Sequence, residues 1–349
     1  FARVINNLKK AFDIKTLITS HGIYSTWGSI IEACKKHNIH SVVWGRGYIG
    51  QGKLLFGINQ NYEKEFIGED SKCFEKIELT TEKIELVKSY YTKKMNPNSN
   101  VDYINYYRKL NSADGNIAEI IALKTKYKTT FGMFTNIPWD GEMLKTTNNF
   151  PTTRFFLRTV MEWFSNNPNC LLIIRTHPAE VSREEGEGTE KFEDLLKEEY
   201  PVLPDNILLI KPNSSITSYR VAEIVDAVIL FGSTMSLEMA VQRKLVIQTG
   251  RNNVSSKNIV FDAHSKEIFY DYLNKVKCGE LKISDEMYDN ALKYAYYWIF
   301  KRHIDDTSVS LNNLLFQSYH FNNKTDFVND KMLSFVANKI IKKEKIIND

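Results

Sequence analysis

From about residue 128 onward, short apolar runs alternate with helical patterns, and this alternation restricts the fold more than any other feature of the sequence. The runs consist mainly of Val, Ile, Leu and Phe. They predict strands at 129–135, 170–176, 206–211, 227–231 and 245–248, with helices at 152–166, 189–198, 215–224 and 234–242. Unbroken apolar strands that alternate with amphipathic helices are typical of a parallel sheet covered on both faces. The sequence therefore predicts an α/β fold.

The first third of the chain shows two strand patterns, 15–20 and 40–45, joined by a helical pattern. This arrangement predicts one βαβ unit. Two parallel strands make a poor sheet alone. We therefore expect two Rossmann-like lobes with parallel sheets, of which the N-terminal lobe is incomplete, with strands missing upstream of Phe1.

The expected domain limits follow from a turn signal, "NSADGN", at 111–116. Clusters of Asn, Ser, Asp and Gly punctuate secondary structure. We expect an N-terminal lobe in 1–125, a second lobe in 126–280 and C-terminal helices in 281–349 that pack back across the lobes.

Charge and hydropathy exclude several classes of protein. The 46 basic and 42 acidic residues leave a net charge of +4, which is too small to indicate binding to nucleic acid. No apolar run reaches the ~18–20 residues of a membrane-spanning helix and no signal peptide opens the chain, so we expect a cytoplasmic location. The lysine-rich face of the last helical segment is typical of a solvated helix, with peripheral binding to an anionic membrane surface as the alternative.

Polar residues follow the predicted strands, at the edge where open α/β sheets bind their ligands. The strand 227–231 ends at Gly232, Ser233 and Thr234, directly before a helix. A helix start offers unpaired N–H groups, glycine permits close approach and hydroxyls add donors, so we expect a phosphate there. N-capping by Ser233 is the alternative. Glu238, one turn later, either binds a ribose diol or is a solvated carboxylate.

The strand 170–176 is followed by His177 and Pro178. Proline favours an extended conformation in the residue before it, which holds His177 just beyond the strand end. Arg175 lies two residues earlier and is predicted to point to the same face, where both side chains contact a pyrophosphate or a nucleotide base. After the next strand, Tyr219 is a candidate sugar or phosphate contact, whereas Ser214 and Ser215 are expected to cap the helix that follows.

Candidate catalytic residues come from two further loops. His21 follows the first strand in "SHGIYSTWG", and Asp140 lies in "IPWDGE". A histidine or carboxylate near a neutral pKa suits removal of a proton from an acceptor hydroxyl, so these are the first and second candidates for a base. Structural roles, in a turn and as a helix cap, are the alternatives. Arg46, in a glycine-rich loop, is placed to neutralise a leaving phosphate.

Several well-known motifs are missing from the sequence, namely GxxxxGK[ST], a GxGxxG after the first strand, HExxH and GxSxG. Their absence argues against a P-loop kinase, a dinucleotide-dependent dehydrogenase, a zinc protease and a serine hydrolase. No pair of acidic residues in a DxD-like pattern stands at a strand end. We therefore expect neither a metal nor a cofactor.

Four segments together resemble the bacterial capsule and surface-polysaccharide biosynthesis proteins. They are "SHGIYSTWG…VVWGRGY", "TNIPWDGE", "LLIIRTHPAEV" and "SSITSYRVAEIVDAVILFGSTMSLEMAVQRKLVI". The resemblance covers about residues 16–275 and implies a two-lobed, GT-B-like glycosyltransferase. His177-Pro178 and Ser233-Thr234 are similar to the HP and paired-hydroxyl motifs by which transferases of CMP-activated Kdo or sialic acid bind the nucleotide. The acidic acceptor motif of those enzymes has no clear counterpart, since Asp114-Gly115 is a poor substitute.

The resemblance implies that the second lobe binds a nucleotide-sugar donor, CMP-Kdo-like by preference and UDP- or GDP-linked otherwise. The acceptor, a polysaccharide or a lipid-linked sugar, would be bound by the N-terminal lobe, and capsule assembly proteins are possible partners. The alternatives are a nucleotide-sugar epimerase, a polyol-phosphate polymerase, and a non-catalytic nucleotide-binding scaffold in capsule assembly.

Overall fold

The computed structural model describes residues 1–50, 52–96, 101, 117–138, 142–182, 191–312 and 315–348. The described residues divide into two compact units, each with its own sheet. The first unit holds 1–73, 101 and 296–348, and the second holds 74–96 and 117–295. The predicted domain limits stay a prediction, although packing assigns 74–96 and 281–295 to the second unit.

The elements have the following bounds. The strands are β1 (Thr16–Ser20), β2 (His40–Arg46), β3 (Lys53–Ile58), β4 (Thr129–Phe134), β5 (Cys170–Arg175), β6 (Ile207–Ile210), β7 (Ala227–Leu230), β8 (Leu245–Gln248), β9 (Phe261–Asp262), β10 (Ile304–Asp305), β11 (Val309–Asn312) and β12 (Leu315–Tyr319). The α-helices are α1 (Ala2–Ala11), α2 (Ser29–Lys36), α3 (Tyr62–Ile67), α4 (Lys72–Glu75), α5 (Thr81–Met95), α6 (Ala118–Lys124), α7 (Glu142–Lys145), α8 (Thr153–Ser165), α9 (Ala179–Ser182), α10 (Phe192–Glu199), α11 (Ser218–Ile224), α12 (Met235–Val241), α13 (Lys266–Cys278), α14 (Asp285–Tyr297), α15 (Lys324–Asn329) and α16 (Lys331–Lys342). Two π-helical turns, Tyr24–Gly28 and Trp298–Arg302, adjoin α2 and α14.

The second unit is built on a six-stranded sheet with the order β6-β5-β4-β7-β8-β9. Every neighbouring pair is parallel. All residues of β4, β5 and β7 are buried, because helices cover both faces of the sheet. The predicted α/β fold with a parallel sheet is confirmed, and each of the five strands predicted here forms within one or two residues of its expected bounds.

Helix α8 shows how the sequence specifies this packing. The side chain of its N-cap residue, Thr152, accepts a hydrogen bond from the backbone N–H of Phe155 at 3.0 Å. Its apolar residues recur at helical spacing, and Phe156, Val160 and Phe164 lie in the core together with Phe131 of β4. The aromatic rings of Phe131 and Phe164 meet edge to face, with centroids 5.3 Å apart.

The sheet of the first unit has the order β1-β2-β3-β10 and is mixed. The predicted parallel pair, β1 and β2, is confirmed. The expectation of a purely parallel sheet is wrong for this unit, since β3 pairs antiparallel with both β2 and β10. Strand β3 returns through the glycine-rich loop after β2, and β10 comes from the C-terminal part of the chain.

The C-terminal segment begins as predicted, because the side chain of Ser284 accepts a hydrogen bond from the backbone N–H of Met287 at 3.1 Å at the start of α14. The apolar side of α16 packs on the core of the first unit against β2 and β3. The residues that pack there are Met332, Phe335, Val336 and Ile340. Over the described parts of the chain, no helix combines the length and the apolar character needed to cross a bilayer.

Candidate functional site

The strand order of the second unit defines where its sheet opens. The chain runs from β4 outward to β5 and β6, then returns to the other side of β4 and continues through β7, β8 and β9. The loops after β4 and β7 therefore leave the sheet in opposite directions, and such a switch point is the ligand-binding crevice of open α/β sheets. The Asn136 side-chain Nδ2 donates to the carbonyl oxygen of Gly232 at 2.9 Å and links these two loops.

Gly232 is required by the packing of protein loops. A Cβ atom there would lie 2.7 Å from the carbonyl oxygen of Arg251 and 3.2 Å from Cβ of Lys145. Ser233 Oγ accepts a hydrogen bond from the backbone N–H of Met235 at 3.2 Å, so this hydroxyl also caps the first turn of α12. Thr234 is exposed and makes no side-chain capping bond. The proposed phosphate contact of the two hydroxyls stays a prediction.

A buried polar network lies directly beneath this corner. Asn252 Nδ2 donates to the carbonyl oxygen of Ser233 at 2.5 Å and to Ser236 Oγ at 3.0 Å. Ser236 Oγ in turn donates to Gln248 Oε1 at 2.7 Å, and Gln248 Nε2 donates to Asp262 Oδ1 at 3.0 Å. Satisfied buried networks of this kind hold one geometry, so the loop after β7 is fixed by β8, β9 and the loop after β8.

Two cationic residues that the sequence did not single out border the same corner. The backbone N–H of Arg251 donates to the carbonyl oxygen of Lys145 at 2.7 Å, and both residues approach Gly232 closely. After burial and the charge of Arg175, the positive charge of Lys145 is the third cause that lowers the pKa of His177. The backbones of two basic residues, one in α7 and one in the loop after β8, therefore adjoin the corner that carries the hydroxyls.

His177 is held in one tautomer. Its Nδ1 accepts a hydrogen bond from the backbone N–H of Ala179 at 3.1 Å, which assigns the ring proton to Nε2. Its backbone N–H donates to Thr135 Oγ1 at 3.0 Å and so joins the loops after β5 and β4. Burial, followed by the charges of Arg175 and Lys145, lowers the pKa of His177 to about 3. The ring is therefore neutral at physiological pH and carries its proton on Nε2.

Arg175 is placed differently from its prediction. The residue is 1% exposed, and its guanidinium donates to four backbone carbonyl oxygens in the loops after β5 and β6. The acceptors belong to Thr176, Pro212, Ser214 and Ile216. These contacts fix the loops after β5 and β6, and a ligand contact of Arg175 stays a prediction.

Tyr219 and Glu238, which were predicted separately, are in contact. The Tyr219 hydroxyl donates to Glu238 Oε2 at 2.7 Å. Lys94 Nζ lies 3.2 Å from Glu238 Oε1, and the side chains of Lys94 and Glu238 are 16% and 7% exposed. Glu238 is therefore a buried, paired carboxylate rather than a solvated one. Each of its oxygens keeps a lone pair for a ligand hydroxyl, so the ribose role stays a prediction.

Glu180 is a buried carboxyl group one turn after His177. It is 1% exposed, and neither side-chain oxygen has a hydrogen-bond partner among the described residues. Burial raises the pKa of Glu180 to about 7. The negative charges of Glu193 and Asp194 add to this rise, whereas the backbones of Phe192 and His177 lower the pKa in part.

Helix α11 begins at Ser218, with Thr217 as its N-cap, and this corrects the expected caps Ser214 and Ser215. The Thr217 side chain accepts a hydrogen bond from the backbone N–H of Arg220 at 3.2 Å. Ser214 Oγ instead accepts one from Ile216 N at 3.2 Å, within the loop before the helix. The sequence "SSITS" offers four hydroxyls, and the cap is the one whose backbone is extended directly before the helical turn.

We expect Thr217→Ala to lower the free energy of unfolding by about 1 kcal/mol, the usual value for the loss of an N-cap. The matched change Ser215→Ala should stay within about 0.5 kcal/mol. Urea unfolding followed by circular dichroism measures both. A larger loss in Ser215→Ala than in Thr217→Ala would contradict this assignment.

The catalytic candidates of the first lobe lie at the carboxyl ends of β1 and β2. His21 follows β1 directly, its backbone N–H donates to Trp44 O at 2.9 Å, and its ring stacks on Trp27 with centroids 4.9 Å apart. Arg46 is the exposed last residue of β2. Both therefore belong to one edge of the first unit. Asp140 lies outside the described residues.

Within the described parts of the chain, no group of three or more His, Cys, Asp or Glu side chains is arranged to hold a metal ion. The expectation that the protein uses neither metal nor cofactor stays a prediction.

No protein-family model matches the sequence, and no curated protein matches it. Among solved structures, the chain is similar to the KpsC β-Kdo 2,4-transferase of Thermosulfurimonas dismutans, with 12% identity, 82% of this chain and 78% of that chain covered, and a TM-score of 0.49. It is similar to the KpsC β-Kdo 2,7-transferase of the same organism, with 12% identity, coverage of 98% and 90%, and a TM-score of 0.48. It is also similar to MnaA of S. aureus in a co-structure with UDP, with 11% identity, coverage of 84% and 74%, and a TM-score of 0.33.

Proposed function

We propose that the protein is a glycosyltransferase that moves a sugar from a nucleotide-activated donor to a growing capsule or surface polysaccharide. One observation carries the proposal. At the switch point between β4 and β7, a neutral histidine donor, exposed or half-exposed hydroxyls and two basic residues come to one corner of the sheet. These residues are His177, Ser233, Thr234, Lys145 and Arg251. Such a corner suits the phosphate of a nucleotide.

The chemistry assigns a task to each group. During transfer the bond between the sugar's anomeric carbon and the phosphate oxygen breaks, and a bond to the acceptor oxygen forms. Negative charge grows on the leaving phosphate, where preorganised donors and cations stabilise it most. His177 contributes Nε2–H without a change of protonation, while Lys145 and Arg251 contribute positive charge. The acceptor proton passes to a base, for which His21 and Asp140 remain the candidates.

The donor within this class is proposed from the motif resemblance. His177-Pro178 and Ser233-Thr234 resemble the nucleotide motifs of transferases that use CMP-activated acidic sugars. A CMP-linked, Kdo-like donor is therefore favoured over UDP- and GDP-sugars.

Thermal unfolding in the presence of CMP, CDP, UDP and GDP tests the site. A nucleotide at 100 times its Kd should stabilise the native state by about 2.7 kcal/mol and raise the melting temperature. We expect one nucleotide, CMP first, to do so, and the double change Ser233→Ala/Thr234→Ala to remove most of the shift. Ser318→Ala, an exposed serine of the first unit, is the control.

A flat response of the parent protein to all four nucleotides would refute the transferase. An equal shift in the double variant would mean that the nucleotide binds elsewhere. Incubation with the activated sugar alone tests two of the alternatives. An epimerase isomerises its donor without an acceptor, whereas a scaffold binds the nucleotide without turnover.

A further inference from the structure

An aromatic cluster stands at the end of β1, outside every contact assigned to the donor. It consists of His21, Tyr24 and Trp27. The rings of His21 and Trp27 are stacked, with centroids 4.9 Å apart and an angle of 28° between their planes. The Tyr24 ring meets Trp27 edge-on at 6.4 Å. His21 is exposed and Tyr24 is 52% exposed, so the packing of the cluster leaves much of its surface to solvent.

The backbone beneath these rings is conformationally costly. His21 has φ 57° and Tyr24 has φ 54°, on either side of Gly22 with φ 79°. A bulky residue is unfavourable in the left-handed region, which Asn and Gly enter more readily. A π-helical turn follows, with Gly28 N donating to Ile23 O at 3.0 Å. Left-handed bulky residues and π-helical turns both concentrate at functional sites.

Neighbouring elements hold this strained segment in place. A Cβ atom on Gly22 would lie 2.7 Å from Ile31 Cδ1 and 2.8 Å from Val43 Cγ1, so the chain is pressed against α2 and β2. Asn61, which is 3% exposed, donates through Nδ2 to the carbonyl oxygen of His21 and also caps α3. The rings are therefore presented by a rigid support.

A tyrosine is less favourable at this φ than an asparagine would be, because Asn enters the left-handed region more readily. The segment therefore keeps a half-exposed aromatic ring at a position where the backbone favours a small polar residue.

We propose that His21, Tyr24 and Trp27 form a stacking surface for a pyranose ring of the acceptor glycan. The C–H face of a pyranose is apolar and weakly positive, so it complements the negative face of an aromatic ring. Its hydroxyl rim needs polar partners, which the imidazole of His21 and the phenol of Tyr24 provide. The inference rests on the proposed function, in that the bound ring is taken to be the acceptor's.

Fluorine NMR of the full chain labelled with 5-fluorotryptophan tests the surface directly. Trp27→Phe assigns the Trp27 resonance. The probes are maltohexaose, a heparin-derived hexasaccharide and a Kdo disaccharide, which supply neutral, sulfated and carboxylate-bearing pyranoses. We expect at least one probe to shift the Trp27 resonance in a saturable way. The proposal is overturned if none of the three glycans shifts the Trp27 resonance. It is also overturned if CMP or UDP shifts this resonance instead, since such a shift would indicate a surface on which a base stacks.

Two variants then distinguish binding from a structural role. Trp27→Ala and Tyr24→Asn should each weaken the Kd of the active probe by at least about tenfold. Trp44→Ala, at an exposed tryptophan of the same unit, should stay within about twofold. Tyr24→Asn should also keep or raise the melting temperature, because Asn adopts the left-handed conformation readily. A variant that binds like the parent, or a Tyr24→Asn protein that loses stability and binding together, contradicts the surface.

These measurements distinguish a failure of the stacking surface from a failure of the proposed function. If a nucleotide stabilises the protein but no glycan shifts the Trp27 resonance, only the proposed stacking surface is wrong. If a glycan shifts the Trp27 resonance but no nucleotide stabilises the protein, the proposed transferase function is wrong and the protein is a glycan-binding protein.

Discussion

The free energy of unfolding of Glu180→Gln, measured relative to that of the parent protein, is expected to be about 3 kcal/mol higher at pH 9 than at pH 4. Burial raises the pKa of Glu180 to about 7, and in the unfolded chain a glutamate titrates near 4.5. Between these two values the native protein holds a proton that the unfolded chain has released. Native stability therefore falls as the pH rises from about 4.5 to about 7, and the glutamine variant does not share this loss.

Urea unfolding at pH 4, 6, 7.5 and 9 measures the effect. A constant cost of the buried amide appears at every pH, so the readout is the pH-dependent part of the difference. Glu198→Gln, in helix α10, is the control. The hydrogen bond from Arg154, whose Nη2 donates to Glu198 Oε2 at 2.9 Å, lowers the pKa of Glu198. That variant should lose stability at high pH and converge with the parent in acid. A pH-independent difference for Glu180→Gln would contradict the burial of an unpaired carboxyl group.

The variant His177→Ala is expected to weaken the Kd of the stabilising nucleotide by about 10- to 100-fold, because a hydrogen bond to a charged group contributes about 1.5–3 kcal/mol. His177→Gln should recover most of this loss, since the glutamine amide places an N–H donor close to the position of Nε2. Both variants lose the hydrogen bond from Ala179 to Nδ1, so the comparison isolates the Nε2–H donor.

The pH dependence of the same titrations tests the protonation state. Burial and two nearby cations lower the pKa of His177 to about 3, so its contribution to binding should be constant from pH 5 to pH 9. Isothermal titration calorimetry across this range gives the ratio of the two Kd values. A ratio that grows as the pH falls through about 6.5 would show that His177 binds as a cation.

The sequence predicted the second unit well because its strands are buried on both faces. Strand β5, for example, contains only apolar residues before Arg175, so its pattern predicts a buried strand without any knowledge of the tertiary structure. Strand β3 was missed because Lys53–Ile58 directly follows a glycine-rich loop and carries a lysine and a glycine of its own, which interrupt its apolar pattern. Strand β10 has two residues and exists only because β3 offers an edge. Pairing, rather than propensity, forms it.

The candidate site divides in the same way. His177 and Ser233 were found because they stand next to strand ends, which is a local property. Lys94 and Lys145 carried no signal, because a lysine on a helix is ordinarily solvated and only the tertiary structure brings these two to the site. The surroundings of Arg175 were missed for the complementary reason. Its position in the strand was correct, but a sequence does not reveal that the carbonyl groups of two loops surround the guanidinium.

The ion pair between Lys94 and Glu238 makes two distant stretches of sequence depend on each other. If position 94 became neutral, a negative charge would remain buried without its counter-ion beside the corner proposed to hold an anion, and it would repel that ligand as well as weaken the fold. Neither residue can then change alone at little cost. Helix α5, which carries none of the recognisable motifs, is thereby constrained by the electrostatic requirements of the donor corner.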